Sequence, residues 1–119
     1  MKIAISAQGQ DMNSELDPRF GRTSGFIIYD TQTRESSFLA NTQNMQAMQG
    51  AGIQTAQNVA QAGAEAVITG HVGPKAFAAL QSGGIGIYLC QEPTVQAAVK
   101  AFMDDRLSPA DSADKPGHW

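Results

Sequence analysis

The sequence is poor in cysteine and in long apolar runs. Its 119 residues include a single cysteine, Cys90, so a disulfide within the chain and a cysteine-based zinc finger are both excluded. No apolar segment approaches the roughly 20 residues that a membrane-spanning helix needs. Lys2 leads directly into an apolar run that is too short for the central part of a signal peptide. We therefore expect a cytoplasmic protein with no membrane partner.

Charge of either sign is also scarce. Charged residues make up 16% of the chain and the formal net charge is −3, which gives no reason to expect nucleic acid or an anionic membrane as a partner. The hydrophobic fraction, 42%, is ordinary for a globular protein. At this length we expect one α/β domain with its own core over residues 1–107. Residues 108–119 are rich in Pro, Asp, Ser and Gly and are expected to form a flexible tail.

Hydrophobic periodicity predicts five strands and three helices in the order β-β-β-α-β-α-β-α. The predicted strands are residues 2–7, 25–29, 35–40, 66–69 and 85–90, and the predicted helices begin near residues 50, 74 and 94. A polar turn between the second and third strands is typical of an antiparallel hairpin. The last three strands are joined by single helices, which implies right-handed parallel crossovers.

The predicted helices carry recognisable end signals and buried faces. Gly73 is expected to precede the second helix as its N-cap, with Pro74 as the first helical residue. Thr94 is expected to cap the third helix. Apolar residues at helical spacing predict the inward faces of the first and third helices: Ile53, Ala56, Val59 and Ala60, and Val95, Ala98, Val99, Phe102 and Met103.

Four connecting segments are expected to meet at one edge of the sheet. If the first strand is central, the first, third, fourth and fifth strands point the same way, and open α/β sheets bind ligands at their shared carboxyl ends. This topology brings Arg19 and Arg22 near His71 and Lys75. Residues 70–75 form a strand-to-helix turn whose backbone N–H groups favour an anion. An ordinary connecting loop is the simpler interpretation of this turn.

Some chemistries are excluded at this edge and others stay open. A nuclease site needs carboxylates on the central strands to hold two cations, and residues 3–7 and 66–69 contain none. No Walker-type glycine pattern is present, so a small phosphate-bearing ligand stays open without being specified. Covalent catalysis by Cys90 is also open, although a cysteine that ends a buried strand is more often an inert core residue.

A soft, anionic, metal-containing ligand fits the edge better. The expected rim includes His71, Cys90, Met45 and Met48, whose nitrogen and sulfur atoms suit copper(I), iron or zinc more than magnesium. The nearby arginines and lysine suit a negative charge. A thiometallate or iron–sulfur cluster combines both properties. The alternatives are a histidine that hydrogen-bonds a carbonyl and methionines that belong to the core.

Several motifs of the chain resemble those of one family. They are Met1-Lys2-Ile3-Ala4-Ile5, Pro18-Arg19-Phe20-Gly21-Arg22, Phe26-Ile27-Ile28-Tyr29-Asp30, Gly50-Ala51-Gly52, Val67-Ile68-Thr69-Gly70, Gly73-Pro74-Lys75-Ala76 and Gly86-Ile87-Tyr88. Over roughly residues 1–105 the chain resembles the dinitrogenase iron–molybdenum cofactor-binding family. The resemblance implies a ribonuclease H-like α/β fold with sheet order 3-2-1-4-5 and helices on both faces. It also implies binding, carriage or assembly of a metal–sulfur cofactor.

Within that family, the chain looks most like members that hold a molybdenum–copper sulfide cluster without a covalent tether. Cofactor-binding relatives commonly have a His before the Phe-Gly pair, and some have a Cys two residues after that Gly. Here those positions are Arg19 and Thr23. A guanidinium in place of an imidazole favours electrostatic retention of an anionic cluster over direct ligation.

The resulting hypothesis is a carrier without enzyme activity. The expected cofactor-binding residues are Arg19, Phe20, Gly21, Arg22, Met48, Gly70, His71, Val72, Gly73 and Lys75, with His71 also a candidate metal ligand. Phe20 and Val72 would limit the access of water. The alternatives are a protein–protein adaptor that acts on an assembly protein or a partner ATPase without a cluster of its own, and a small-molecule sensor.

Overall fold

The computed structural model describes residues 1–41 and 51–114. Within these residues the chain forms five strands and three helices in the predicted order. They are β1 (Lys2–Ala7), β2 (Gly25–Asp30), β3 (Ser36–Ala40), α1 (Ala51–Gln61), β4 (Ala64–Thr69), α2 (Pro74–Ser82), β5 (Gly86–Leu89) and α3 (Val95–Met103). The predicted elements are therefore confirmed, with small shifts at their ends. None of the described helices is long and apolar enough to cross a membrane.

The strands form one mixed sheet in the order β3-β2-β1-β4-β5. β2 pairs antiparallel with both β1 and β3, whereas β4 pairs parallel with both β1 and β5. As a result β1, β3, β4 and β5 all point the same way. We call the edge of the sheet at which these four strands end the C-terminal edge.

The core is divided by the sheet into two layers. Along β1, successive side chains alternate between the faces: Ile3 and Ile5 pack with Val95 and Ala98 of α3, whereas Ala4 belongs to the cluster on the other face. That other cluster is covered by α1 and α2. Helices therefore lie on both faces, as the family resemblance implies.

The predicted helix caps are confirmed, but the predicted buried faces are wrong at three positions. Gly73 precedes α2 in an extended conformation, and the side chain of Thr94 caps α3. However, Ile53, Ala60 and Met103 are exposed. In α1 the buried face is displaced toward Thr55, a polar residue that an apolar pattern does not count. Thr55 is fully buried and is satisfied by hydrogen bonds.

The described part of the C-terminal tail lies along β5. The backbone N–H of Ala110 donates to the carbonyl of Ile87 at 2.7 Å, and Ala110 and Ala113 pack against the cluster under α1 and α2. We call residues 109–114 the C-terminal strap. The flexibility expected for residues 108–119 stays a prediction, and residues 115–119 lie outside the described residues.

Candidate functional site

Two loops are paired at the C-terminal edge: the β1–β2 loop and the β4–α2 turn. Arg19 and His71 form an isolated parallel bridge, in which the N–H of Phe20 donates to the carbonyl of His71 at 3.2 Å. A Cβ at Gly70 would lie 2.8 Å from both the Cα and the carbonyl oxygen of Pro18. Glycine at position 70 therefore permits this close approach, and the structure places Arg19 beside His71, as the strand order predicts.

Buried hydroxyl groups hold the β1–β2 loop against the sheet. The Oγ of Ser6 donates at 2.6 Å to the carbonyl of Asp17 and lies 2.8 Å from the Oγ1 of Thr69. The N–H of Asp17 donates back to the carbonyl of Ser6 at 2.9 Å. The carboxylate of Asp17 then accepts the N–H of Arg19 at 3.0 Å. Residues at the ends of β1 and β4 therefore fix the position of the Arg19 backbone.

A fully buried asparagine holds the second half of the same loop. The side-chain amide of Asn41 donates to the carbonyl of Thr23 at 3.1 Å, and its oxygen accepts from Thr55 and Asn58 of α1, each at 3.3 Å. Arg22, which precedes Thr23, is thus fixed relative to α1. Sequence analysis missed Asn41, because one polar residue after a strand gives no signal that it is buried.

The β4–α2 turn brings backbone donors and one lysine to the same edge. Gly73 caps α2 without a side-chain hydrogen bond and Pro74 is the first helical residue. The first N–H groups of a helix have no partner within it, and the exposed Lys75 lies in this first turn. A Cβ at Gly52 would lie 2.8 Å from the Cβ of Ala76. The start of α1 therefore packs against the start of α2.

An unexpected carboxylate occupies part of this turn. The Oδ2 of Asp114 lies 2.8 Å from the Nδ1 of His71, and its Oδ1 accepts the N–H of Val72 at 2.8 Å. Because an ionised carboxylate only accepts, the Nδ1 of His71 carries the proton. Partial burial raises the pKa of Asp114, but the hydrogen bonds from His71 and Val72 outweigh it and hold the pKa below its usual value. Sequence analysis missed this contact, because nothing in an irregular tail indicates where it ends.

The predicted apolar site residues lie in the core. Phe20 and Val72 are both fully buried in the cluster under α1 and α2, and the ring of Phe20 lies 5.5 Å from that of Phe26. Their side chains anchor the two loops to the core. A contact of either residue with a ligand would therefore come from its backbone.

Cys90 does not lie on the rim, so that expectation is wrong. Its side chain is 3% exposed and belongs to the core cluster under α3, on the other face of the sheet from Val72. Burial raises the pKa of the Cys90 thiol, although the N–H of Glu92 donates to its sulfur. A protonated, buried thiol is a poor nucleophile and a poor metal ligand.

The described residues at this edge suit an anion better than a bare cation. Met45 and Met48, two of the predicted sulfur ligands, lie outside the described residues. Within residues 1–41 and 51–114, no three His, Cys, Asp or Glu side chains come together so that they could hold a metal ion. The loops at this edge carry Arg19, Arg22 and Lys75, and the start of α2 adds backbone N–H groups without partners within the helix.

A hollow of about 340 Å³ lies at the opposite edge of the sheet. Its lining includes Lys2, Asp30 and Glu35, so acidic groups there outnumber basic ones two to one. That mixture gives no preference for an anion, and none of the lining residues belongs to the paired loops.

Comparison with known proteins adds a family and several similar structures. The family described as "Dinitrogenase iron-molybdenum cofactor" matches residues 1–105. The apo form of the orange protein from Desulfovibrio gigas is 39% identical, with a TM-score of 0.93 over 96% of each chain. An NMR structure of a Thermotoga protein, proposed there to be a NifB protein, is 33% identical, with a TM-score of 0.85 over 98% of each chain. An uncharacterized protein of Methanocaldococcus jannaschii is 30% identical over 110 residues, which cover 90% of this chain and 89% of that protein.

Proposed function

The chain belongs to the dinitrogenase iron–molybdenum cofactor family, and on that premise we propose that it binds and carries an anionic metal–sulfur cluster at the C-terminal edge of its sheet. The cluster proposed is of the molybdenum–copper sulfide type, and it is cargo rather than a group used in catalysis. The protein acts as a carrier without enzyme activity of its own.

One observation carries the proposal: the pairing of the loop that bears Arg19 with the turn that begins at His71. This pairing sets the backbone of Arg19, whose side chain is exposed, beside a turn of backbone N–H groups. Lys75 follows within one helical turn. Hydrogen bonds from charged donors to an anion are roughly twice as strong as neutral ones. A sulfide-rich cluster with net negative charge offers acceptors to all of these donors.

The residues present fit an anionic cluster. The carboxylate of Asp114 already accepts from Val72 and contacts His71 at 2.8 Å, so the donors of this turn hold a negative group. Charge and hydrogen bonds, rather than a set of three chelating side chains, would therefore retain the cargo. We keep His71 as the candidate copper ligand, because a neutral imidazole nitrogen is a common ligand of copper.

Three further parts of the hypothesis belong to the same proposal. The sheet order, with helices on both faces, supports a ribonuclease H-like fold class. An assembly protein or ATPase is the proposed partner that loads or unloads the carrier. The single buried cysteine and the absence of a membrane-spanning helix among the described residues are compatible with the proposed cytoplasmic location.

Reconstitution with an inorganic precursor tests the proposal. Apo-protein mixed with tetrathiomolybdate and copper(I) is expected to keep a visible chromophore through desalting. The variant Arg19→Gln/Arg22→Gln should lose that chromophore at lower salt than wild type, because fewer positive charges hold the anionic cluster. Salt screens those that remain, since the range of exposed charges falls from about 10 Å at 0.1 M to about 3 Å at 1 M.

A charge-matched variant controls for net charge. Arg34→Gln/Lys100→Gln also removes two positive charges, but from the β2–β3 turn and from α3. It should retain the chromophore as wild type does. Failure of wild type to hold any chromophore would refute the proposed function. If the two double variants lost the chromophore at the same salt concentration, the role of Arg19 and Arg22 would be refuted.

A further inference from the structure

The C-terminal strap carries a negative charge from the last helix back to the C-terminal edge. Its first half is fixed to β5 by the hydrogen bond from Ala110 to Ile87 and by a bridge between Pro109 and Tyr88. Ala113 packs on the core beneath α1 and α2. The strap lies beyond residue 105, where the family match ends. Its course therefore has to be explained by this chain's own contacts.

The strap ends in a carboxylate that uses the donors of the β4–α2 turn. One oxygen of Asp114 accepts the Val72 N–H at 2.8 Å and the other lies 2.8 Å from the ring of His71. The N–H of Asp114 also donates to the carbonyl of Val72 at 3.3 Å. A second anion cannot use the same donors while the carboxylate is in place, because two like charges at one site repel each other.

We propose that the strap is an autoinhibitory contact, in which Asp114 occupies the anion-binding donors of the β4–α2 turn and has to leave before the cargo binds. The nature of the cargo rests on the proposed function, whereas the contact itself does not. The side chains of His71 and Asp114 are 26% and 27% exposed, so water can replace their hydrogen bond when the strap releases.

Competition by the strap raises the concentration that a ligand needs in order to bind. A strap that is docked for about nine-tenths of the time weakens the apparent affinity of a competing anion about tenfold. Any anion that needs the Val72 and His71 donors bears this same loss. A larger cluster that also reaches Arg19 starts from a tighter intrinsic affinity, so it still binds at concentrations at which a small anion does not.

The test compares two alanine variants of the same segment. Asp114→Ala removes the carboxylate from the turn, and Asp111→Ala removes an exposed carboxylate three residues earlier that makes none of the described contacts with the turn. Tetrathiomolybdate with copper(I) is titrated into each apo-protein at one ionic strength. Asp114→Ala should bind about tenfold more tightly than Asp111→Ala. Equal or weaker binding by Asp114→Ala would overturn the proposal.

A second measurement separates this inference from the proposed function. If wild type and both variants all fail to bind the thiomolybdate–copper probe, the proposed function is refuted. The proposal for the strap is then tested with inorganic sulfate, whose binding is followed by NMR through the amide resonance of Val72. That resonance should move at lower sulfate concentration in Asp114→Ala than in Asp111→Ala, and identical titrations in the two variants would overturn the strap. Asp114→Asn, which keeps the size of the side chain, should lie between them.

Discussion

Gly70 shows how a single residue decides the distance between the two loops of the site. The Cα and carbonyl oxygen of Pro18 occupy the space that a side chain would need, at 2.8 Å from an added Cβ. Both are backbone atoms, so they cannot turn away as the end of a side chain can. The pairing of Arg19 with His71 depends on this approach.

We expect Gly70→Ala to destabilise the protein by about 1–3 kcal/mol, because the extra carbon forces the backbone to shift. The same variant should also lose the thiomolybdate–copper chromophore at lower salt. Gly86→Ala is the control, since an added Cβ there would lie 3.2 Å from the ring of Tyr88, which can move. Urea unfolding of both variants gives the comparison, and equal losses of stability would contradict this account of Gly70.

The placement of some residues was predictable from sequence. Arg19 and His71 lie side by side because the strand order brings the β1–β2 loop to the turn after β4. The roles of Asn41 and Asp114 were not predictable, because they arise only from contacts between segments far apart in the chain. Cys90 was placed wrongly because its side chain, just after β5, is buried by packing against α3. The sequence does not report that contact.

At the scale of elements, the end of α2 depends on one of two adjacent glycines. The N–H of Gly84 donates to the carbonyl of Gln81, and that of Ile85 to the carbonyl of Leu80, each at 3.0 Å. Gly84 has φ +72° and Gly83 has φ −84°. This pattern is the Schellman motif, in which the residue at the position of Gly84 takes a left-handed conformation.

Alanine should therefore be costly at one glycine and not at its neighbour. Gly84→Ala is expected to lower the free energy of unfolding by about 1 kcal/mol, because a Cβ disfavours the left-handed conformation. Gly83→Ala should be close to neutral, since its added Cβ would lie no nearer than 3.6 Å to another atom. Thermal or urea unfolding measures both, and losses of the same size would show that backbone conformation is not the cause.

The elements themselves were largely predictable from sequence. Strands and helices follow from apolar periodicity, and their ends follow from Gly, Pro and Thr at known cap positions. The buried face of α1 was less predictable, because Thr55 is held inside by Gly21 and Asn41. A polar residue is buried when tertiary partners satisfy it, and periodicity does not report those partners.

For the molecule as a whole, the carboxylate of Asp30 links stability to pH. Its oxygen accepts the N–H groups of Gln32 and Thr33 at 2.8 and 3.3 Å, and these hydrogen bonds hold the pKa of Asp30 below its usual value. When the folded-state pKa is lower than the unfolded-state pKa, the stabilisation is present above the unfolded-state value and is lost as pH falls through the folded-state value.

We expect Asp30→Asn to unfold at lower urea concentration than wild type at neutral pH. The difference should shrink as the pH falls through the folded-state pKa of Asp30, because wild type then also carries a neutral side chain. Asp111→Asn, which removes a carboxylate outside this turn, controls for net charge and should show no such convergence. A difference between Asp30→Asn and wild type that is constant from neutral to acid pH would contradict the linkage.

The arrangement of the whole molecule was predictable in part. A hairpin followed by helical crossovers implies that four strands share a direction, and the family resemblance added the sheet order, which the structure confirms. The course of the chain after α3 was not predictable, because residues beyond Leu107 show neither the periodicity of a helix nor that of a strand.

The course of the strap also matters for how recombinant protein is made. Asp114 contacts both His71 and Val72, so an affinity tag fused downstream of the strap adds bulk and charge to the segment that carries this contact. Met1 precedes β1 and therefore lies at the opposite edge of the sheet. A tag placed on the amino terminus leaves the strap and its carboxylate with their native neighbours.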